Sequence, residues 1–504
     1  MTDNQRRHLF HRLTSNDQTL KELSISPNGS DFFPTENKTW LALGGCLGQN
    51  ETVTTLNISF PVEMDFSVHR RQFQWLDCIT PGLQQNTSIK FLRFANVHFS
   101  EYSAFFVKMS SFWHRNLSLT TLRFHSCEFE EIEWCTLARA ITASTTIKNI
   151  FFTNIHMSVS NFIAVSSAFQ GTLKRLFIRN CGLDHEHLDI MGKLWIVDGA
   201  APKVVDLSCN DDIVSCESIG LVVKGMKHLS LAETSVGNHG VQALVQGLLA
   251  KAEHAQTSNL LSLNLEGTNL SDNACKSIKL ALENDNSSLE QLHLGYNNIR
   301  DEGIKLLAKG LKSNTCLKSL HLQENNITEN GWATILELTC NTSTIDATRQ
   351  SNHTLETLSG PCICFWTTNI GKLINDMLSI NKQARKAFAY APFLGRKVAA
   401  RTKITNLHLI SLYDSKTTIV DYNDEILFPL ILSFISKHYY TAVTWVDEIN
   451  ALSAMNHIVQ NKCNLFQSTG ASVVPNPRRE RPVCYSNRPI KRQRDKSIES
   501  HREF

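Results

Sequence analysis

The 504-residue chain lacks the marks of most membrane and catalytic classes. No run reaches the ~18 apolar residues that a membrane helix needs. The best candidate, 426–436, is too short and is flanked by Asp424, Glu425 and Lys437. The opening MTDNQRRHLFHRL is basic but holds no apolar stretch of the secretory kind. A phosphate loop is missing as well: Gly220 and Gly225 have glycine spacing, but Met226 follows where Lys-Ser/Thr is required. Neither a GxSxG elbow nor an HExxH helix occurs. Fourteen cysteines are scattered without a CxxC pair or a disulfide framework, which predicts reduced thiols in the cytosol or nucleus. His185 and His187 flank Glu186 without a third ligand, so they read as a polar loop entering a helix. Cys362 and Cys364 form a lone CxC and are given no metal. The expectation is a soluble, unsecreted, non-catalytic chain with no cofactor and no metal.

What is present is a foldable composition. Hydrophobic residues make up 42% and charged residues 19%, enough apolar material for a large core and too little charge for a disordered chain. The formal charge is +3. The end departs from this balance, with nine lysines and arginines against four acids from Pro475 onward.

One short pattern recurs: TLKELSI (19–25), TVTTLNI (52–58), SIKFLRF (88–94), SLTTLRF (118–124), TIKNIFF (146–152), TLKRLFI (172–178), KVVDLS (203–208), GMKHLSL (225–231), NLLSLNL (259–265), SLEQLHL (288–294) and CLKSLHL (316–322). Its anchors are Leu23, Leu56, Leu92, Leu122, Ile150, Leu176, Val205, Leu229, Leu263, Leu292 and Leu320, separated by 33, 36, 30, 28, 26, 29, 24, 34, 29 and 28 residues. Self-similarity at such a period marks a repeat architecture. Five residues past the anchor stands a small polar residue: Asn297, Asn325, Cys127, Cys181, Thr234 or Thr268. A chain turning away from a strand inside a core needs such a side chain to bond its open amides. Between strands the period becomes helical, as in Ile304, Leu307, Ala308 and Leu311, or Val241, Leu244, Val245 and Leu248. Asp301-Glu302 and Ser271-Asp272 supply acidic helix starts. Asn284, Asn286 and Asn314 sit where helices lead back into strands. The Asn-x-Ser/Thr sequons at Asn50, Asn86, Asn116, Asn286, Asn341 and Asn352 therefore read as structural punctuation before they read as glycan sites.

The stretch LHLGYNNIRDEGIKLLAKGLKSNTCLKSLHLQENNITENGW (292–332) resembles the ribonuclease-inhibitor class of leucine-rich repeat. The resemblance is strong over 259–332, good over 88–258 and degenerate before 88. It implies units of roughly 28 residues in a curved α/β horseshoe. Parallel strands would line the concave face, helices the convex face, and stacked neighbours would complete each other's core. Ran GTPase-activating proteins use the same repeat, but they typically carry an acidic segment after it where this chain is basic. The nucleotide-binding immune receptors carry a similar solenoid as their sensing arm. A regulator of a small GTPase and such a sensing arm are the alternatives to a plain scaffold.

The expected organisation is an N-terminal segment (1–18), a solenoid of about eleven repeats (19–340), an irregular capping repeat (341–364), a C-terminal helical module (365–466) and a disordered basic tail (467–504). TSTIDAT (342–348) reads as a truncated strand. The segments 370–380, 384–390, 425–440 and 446–460 read as helices. The run 478–496 has the composition of a nuclear-import signal on an otherwise cytoplasmic protein.

Alternate residues of a strand face opposite ways. The residues between the paired aliphatics should therefore line the concave face: Asn57, Arg93, Arg123, Phe151, Phe177, Asp206, Ser230, Asn264, His293 and His321. Arg175 and Arg179 flank Phe177, and His125 accompanies Arg123. Arg93, Arg123, Phe151, Arg175, Phe177 and Arg179 form a basic-aromatic patch suited to an acidic protein segment with an apolar anchor. Tyr296, His293, His321, Gln323 and Glu324 offer milder polar contacts further on, and stacked histidines would make binding pH-sensitive. Membrane, nucleic acid and small molecules are not expected as partners.

Overall fold

The computed structural model describes residues 3–404 apart from 27–36, 61–73, 100–102, 170, 172, 196–200, 215–216, 224, 251–259, 388 and 390–391. The expected helices at 425–440 and 446–460, the tail 467–504 and its basic run 478–496 lie outside the described residues.

Each recurrent triplet forms a strand: β1 (Glu22–Ile25), β2 (Thr55–Ser59), β3 (Phe91–Ala95), β4 (Thr121–His125), β5 (Asn149–Thr153), β6 (Arg175–Arg179), β7 (Val204–Asp206), β8 (His228–Ser230), β9 (Ser262–Asn264), β10 (Gln291–His293) and β11 (Ser319–His321). A twelfth strand, β12 (Thr357–Ser359), follows. All twelve make one parallel sheet in strict sequence order. The anchors lie opposite one another, Leu23 on Leu56, Leu56 on Leu92 and so on to Leu320 on Leu358. The fold is an open leucine-rich-repeat solenoid of alternating strands and helices.

Two rows of side chains fill its core. The anchors are buried along the sheet, and so are the second aliphatics, from Ile25 and Ile58 to Leu294 and Leu322. In the N-terminal half the second row is aromatic. Phe94, Phe124 and Phe152 stack rung upon rung at 5.8 and 5.6 Å. From the other side the helices bury the predicted stripe, Ile304, Leu307 and Leu311 in helix Asp301–Ser313. Acidic helix starts reach into the next unit. Asp272 Oδ1 accepts the backbone amides of Arg300 at 2.7 Å and Gly303 at 3.0 Å, and Asp301 Oδ1 accepts that of Thr328 at 2.9 Å.

The polar slot after each strand closes the turn. Asn297 Nδ2 donates to the carbonyls of Leu265, Leu294 and Gly295 at 2.8–3.1 Å, and its Oδ1 accepts the amides of Thr268 and Leu270. Thr268 Oγ1 donates to the Leu265 carbonyl at 2.7 Å. Burial pushes the Cys127 and Cys181 thiols up to about 12, so both stay protonated and donate, Cys127 to the Phe94 carbonyl and Cys181 to that of Arg179. Asn297→Ala orphans several buried backbone groups at once, each costing about 1–3 kcal/mol. A loss of roughly 3 kcal/mol in urea unfolding is expected; a loss under about 1 kcal/mol would contradict this account of the slot.

A second asparagine row closes the helix-to-strand turns. Asn86 Nδ2 donates to Leu47 and Asn50 carbonyls, and its Oδ1 accepts from Ser88 and Ile89. Asn50, Asn116, Asn314 and Asn352 repeat this pattern. Four sequon asparagines, Asn50, Asn86, Asn116 and Asn352, are thus buried with their amides engaged.

The C-terminal part differs from expectation in its local elements. TSTIDAT contributes the short helix Ile345–Arg349, capped by the Thr344 side chain on the Ala347 amide, in place of a strand. One continuous helix, Asn369–Ala387, replaces the break expected between 380 and 384. It docks on the last rungs, where Asn381 Nδ2 donates to the Leu355 carbonyl and Arg385 pairs with buried Glu356. A further helix, Pro392–Ile404, was not foreseen. Cys362 and Cys364, expected as free thiols, are joined by a disulfide: Cys362 is extended before the 3₁₀ turn Ile363–Thr367, which sets the two Cα atoms 5.3 Å apart. His187, expected in an exposed loop, is a buried helix-start residue, its ring bonded to Asp184 Oδ1 at 2.7 Å and the Met157 carbonyl at 3.0 Å. Among the described residues no helix is long and apolar enough to cross a membrane.

Candidate functional site

Strict register turns the concave column into a ladder. Asn57 opposes Arg93, Arg93 opposes Arg123, Arg123 opposes Phe151, and Phe151 opposes Phe177. The series continues through Asp206, Ser230, Asn264, His293 and His321 to Ser359. Adjacent strands lie about 4.8 Å apart, so flat side chains on neighbouring rungs fall into stacking range.

Stacking is what the N-terminal half shows. The Arg123 guanidinium lies 4.6 Å from the Phe151 ring centre and 5.7 Å from that of Phe91. Phe151 and Phe177 stack at 4.4 Å and 19°. Arg179 covers Phe177 at 5.3 Å and pairs with Asp206, its Nε 2.8 Å from Oδ2. Asp206 is itself fixed by the Ser208 amide and hydroxyl on Oδ1. The result is one continuous stack from Phe91 to Asp206. Each cation–π contact is worth roughly 0.5–1 kcal/mol at a partly exposed site. Phe177 is only 8% exposed, so this ring, expected as a free contact, is covered by its neighbours. Arg179 is likewise committed to Asp206. Arg93, His125 and Phe151 are half-buried, and Arg175 is exposed at the start of β6.

A row of cations lies beside this stack. The residue just before each strand is Lys148, Lys174, Lys203 and Lys227 on the four consecutive rungs β5–β8, with Lys90 two rungs earlier. Their backbones form a hydrogen-bonded chain: Lys174 N on Lys148 O at 2.7 Å, Val204 N on Lys174 O at 3.0 Å, and Lys227 N on Lys203 O at 2.8 Å. Lys174, Lys203 and Lys227 are exposed, and Arg175 adjoins them. Among the described residues none of these cations forms an ion pair, whereas Lys318 in the same slot is matched by Glu290. Their field is felt locally. Burial first, then Lys227 and Arg175, hold the His228 imidazole below its ordinary pKa. The triplet reading missed this row because it began one residue later. The signal was a lysine after the first apolar residue of several units.

The second cluster lies on β9–β11, beyond Ser230. His293 and His321 stack at 4.1 Å and 2°. Glu266 Oε1 lies 3.7 Å from His293 Nδ1 and accepts from Gln323 Nε2 at 2.6 Å. This bridge passes over Gly295, where a Cβ would meet the Gln323 amide at 2.5 Å. The His293 imidazole holds the Glu266 carboxyl below its usual value against the opposing effect of burial. Tyr296 stands apart from the stack, 56% exposed and in the left-handed conformation at φ 55°. The same conformation recurs four residues past every anchor from Leu92 to Leu320, at Asn96, Ser126, Asn154, Asn180, Cys209, Glu233, Gly267 and Glu324.

Repeat, register and turn chemistry together define a leucine-rich-repeat protein, and residues 285–308 and 313–333 match the leucine-rich-repeat family model. The chain is a repeat domain of the protein-interaction class. Over 237 residues it is 26% identical to NACHT, LRR and PYD domains-containing protein 5 of Mus musculus, covering 46% of this chain and 18% of that protein. Over 120 residues it is 32% identical to NACHT, LRR and PYD domains-containing protein 13 of Homo sapiens, covering 24% of this chain and 10% of that protein. The chain therefore spans less than a fifth of the length of these curated relatives. Among solved structures, the leucine-rich repeat-containing protein LegL7 of Legionella pneumophila is similar at 14% identity and a TM-score of 0.36, covering 61% of this chain and 92% of that one.

Proposed function

We propose that the chain is a non-catalytic interaction scaffold whose concave face, over β3–β8, seats an acidic protein segment with an apolar anchor. The observation that carries this reading is the row Lys148, Lys174, Lys203 and Lys227, without ion pairs among the described residues and running parallel to the Arg123–Phe151–Phe177 stack. A cation row without ion pairs among the described residues favours encounter with an acidic partner and sets its register. The half-buried Phe151 and the aliphatic parts of Arg123 and Arg179 offer the apolar side of the contact. Nucleic acid is the weaker fit. Single-stranded bases stack on free aromatic faces, and here the rings are taken by each other and by guanidinium groups.

The similarity to NACHT, LRR and PYD domains-containing proteins supports a second reading, in which these repeats act as a sensing arm. Both readings use the same surface. No observation favours action on a small GTPase. Residence in the cytoplasm, with nuclear entry through 478–496, belongs to the same proposal.

The test is affinity capture with the full chain, compared with two variants. One carries Arg123→Glu, Phe177→Ala and Arg179→Glu; the other carries Lys174→Glu, Lys203→Glu and Lys227→Glu. Both should lose the captured partners, and capture by the unaltered chain should weaken as salt is raised. Lys305→Glu with Lys309→Glu on a convex helix should retain them. An unchanged partner set in both concave variants would remove the assignment.

A further inference from the structure

We propose that Glu266, His293 and His321 bind a divalent transition-metal ion of the zinc class on the concave face of β9–β11. This site is separate from the basic stack and does not depend on that stack's function.

One donor atom from each of the three residues can be chosen so that all lie within 4.8 Å of one another. Zinc holds nitrogen and oxygen donors at roughly 2.0–2.2 Å, so two donors on one tetrahedral ion are roughly 3.4 Å apart. Side-chain torsions are the degrees of freedom that can close this difference. The two imidazoles are parallel, so their in-plane lone pairs do not yet converge. One ring must turn about χ2, a broad and soft torsion for histidine. The supports that orient metal ligands are already in place. Gln323 Nε2 holds the Glu266 carboxylate, and His321 has Ser359 Oγ at 2.8 Å from Nδ1 and Ser319 Oγ at 2.9 Å from Nε2. Whichever nitrogen turns to the metal, the other keeps a serine, the arrangement that fixes tautomer and ring plane in histidine metal sites. Gly295 is the remaining support, because only a residue without a side chain lets Gln323 cross to Glu266.

Two imidazoles and one carboxylate suit zinc or a neighbouring transition ion and do not suit magnesium or calcium, which take oxygen donors. Three protein ligands leave a fourth position facing the open side of the sheet. Water, or a donor side chain of a bound protein, would complete it.

Zinc titration into the metal-free full chain, followed by calorimetry, should show one saturable site at micromolar concentration or below. Cobalt in its place should give the visible ligand-field bands of a tetrahedral site. Glu266→Gln keeps size and hydrogen bonding, and His321→Ala removes a ligand; each should weaken zinc by more than about tenfold. Gln323→Ala, which removes only a support, should cost about tenfold. Cys362→Ser with Cys364→Ser should leave binding unchanged, and far-UV circular dichroism verifies that every variant is folded. Absence of stoichiometric binding would overturn the proposal. Zinc affinity in Glu266→Gln and His321→Ala equal to that of the unaltered chain, or loss confined to the cysteine variant, would overturn it too.

Discussion

Gly82→Leu is expected to unfold the N-terminal repeats while leaving β9–β12 intact. Helices Asn37–Gln49 and Gln74–Gln85 touch backbone to backbone. A Cβ on Gly82 would fall inside the Gly44 carbonyl, and one on Gly44 would lie 2.9 Å from the Cys78 oxygen and the Ile79 Cα. Main chain cannot swing aside as a flexible side chain does, so the helices must part. Separation breaks the Trp40–Trp75 stack, now 4.5 Å between ring centres, and opens the core around Leu43 and Ile79. Overpacking typically costs about 1–3 kcal/mol, and a clash with main chain puts this substitution at the upper end of that range. In a solenoid each unit leans mainly on its neighbours, so the damage stays near the substituted end. Hydrogen exchange should show protection lost over 37–60 and 74–95 and kept over 262–322. Unchanged protection in the first range would disprove the backbone contact.

Acidification is expected to loosen the C-terminal helix Pro392–Ile404 before the solenoid responds. Lys403 is fully buried, its Nζ donating to the Thr339 carbonyl at 2.6 Å, the Asn352 carbonyl at 3.2 Å and His353 Nδ1 at 3.2 Å. His353 Nε2 lies 3.2 Å from the Arg349 carbonyl and donates to it, which leaves Nδ1 as the acceptor for the lysine. Burial lowers Lys403 from its ordinary 10.5 to about 7. Burial, followed by the charge of Lys403, lowers His353 from 6.5 to about 3. In both cases the unfolded chain holds a proton that the folded chain gives up, so stability rises with pH. For Lys403 the gain develops between about 7 and 10.5, and for His353 between about 3 and 6.5. The lysine displacement corresponds to roughly 5 kcal/mol across its window. Exchange of the amides in 392–404 should be faster at pH 6 than at pH 9 after correction for intrinsic rates. Lys403→Met should flatten the dependence above pH 7. The same slope in Lys403→Met would show that this lysine is not its source.

Most of the fold was legible because each unit restates the same physical demand. The aliphatic pair must be buried, so the residue between must face outward, and a common register follows once the anchors align. That reasoning placed Arg123, Phe151 and Phe177 on adjacent rungs. It did not foresee that Phe177 would be covered or Arg179 tied to Asp206, because both depend on how flat side chains fill the gap between rungs. Arg179 reaches Asp206 along a diagonal that a column-by-column reading does not draw. The Glu266–Gln323 bridge spans 57 residues and skips a whole unit, so nothing local announced it. Helix 392–404 escaped notice because its apolar positions are few and Lys403 reads as a surface residue until its three acceptors are seen.

Because the backbone of each rung pairs only with the rung before and the rung after, whole units behave as interchangeable lines of text. Excising the segment that carries β5 would bring Arg123 directly against Phe177 and Phe124 against Ile178. The core would remain aliphatic and aromatic throughout, yet the sentence written on the surface would change at one stroke. Recombination between such units can therefore exchange specificity without reinventing the scaffold, whereas a single-residue insertion within a triplet would turn every later side chain of that strand to the wrong face.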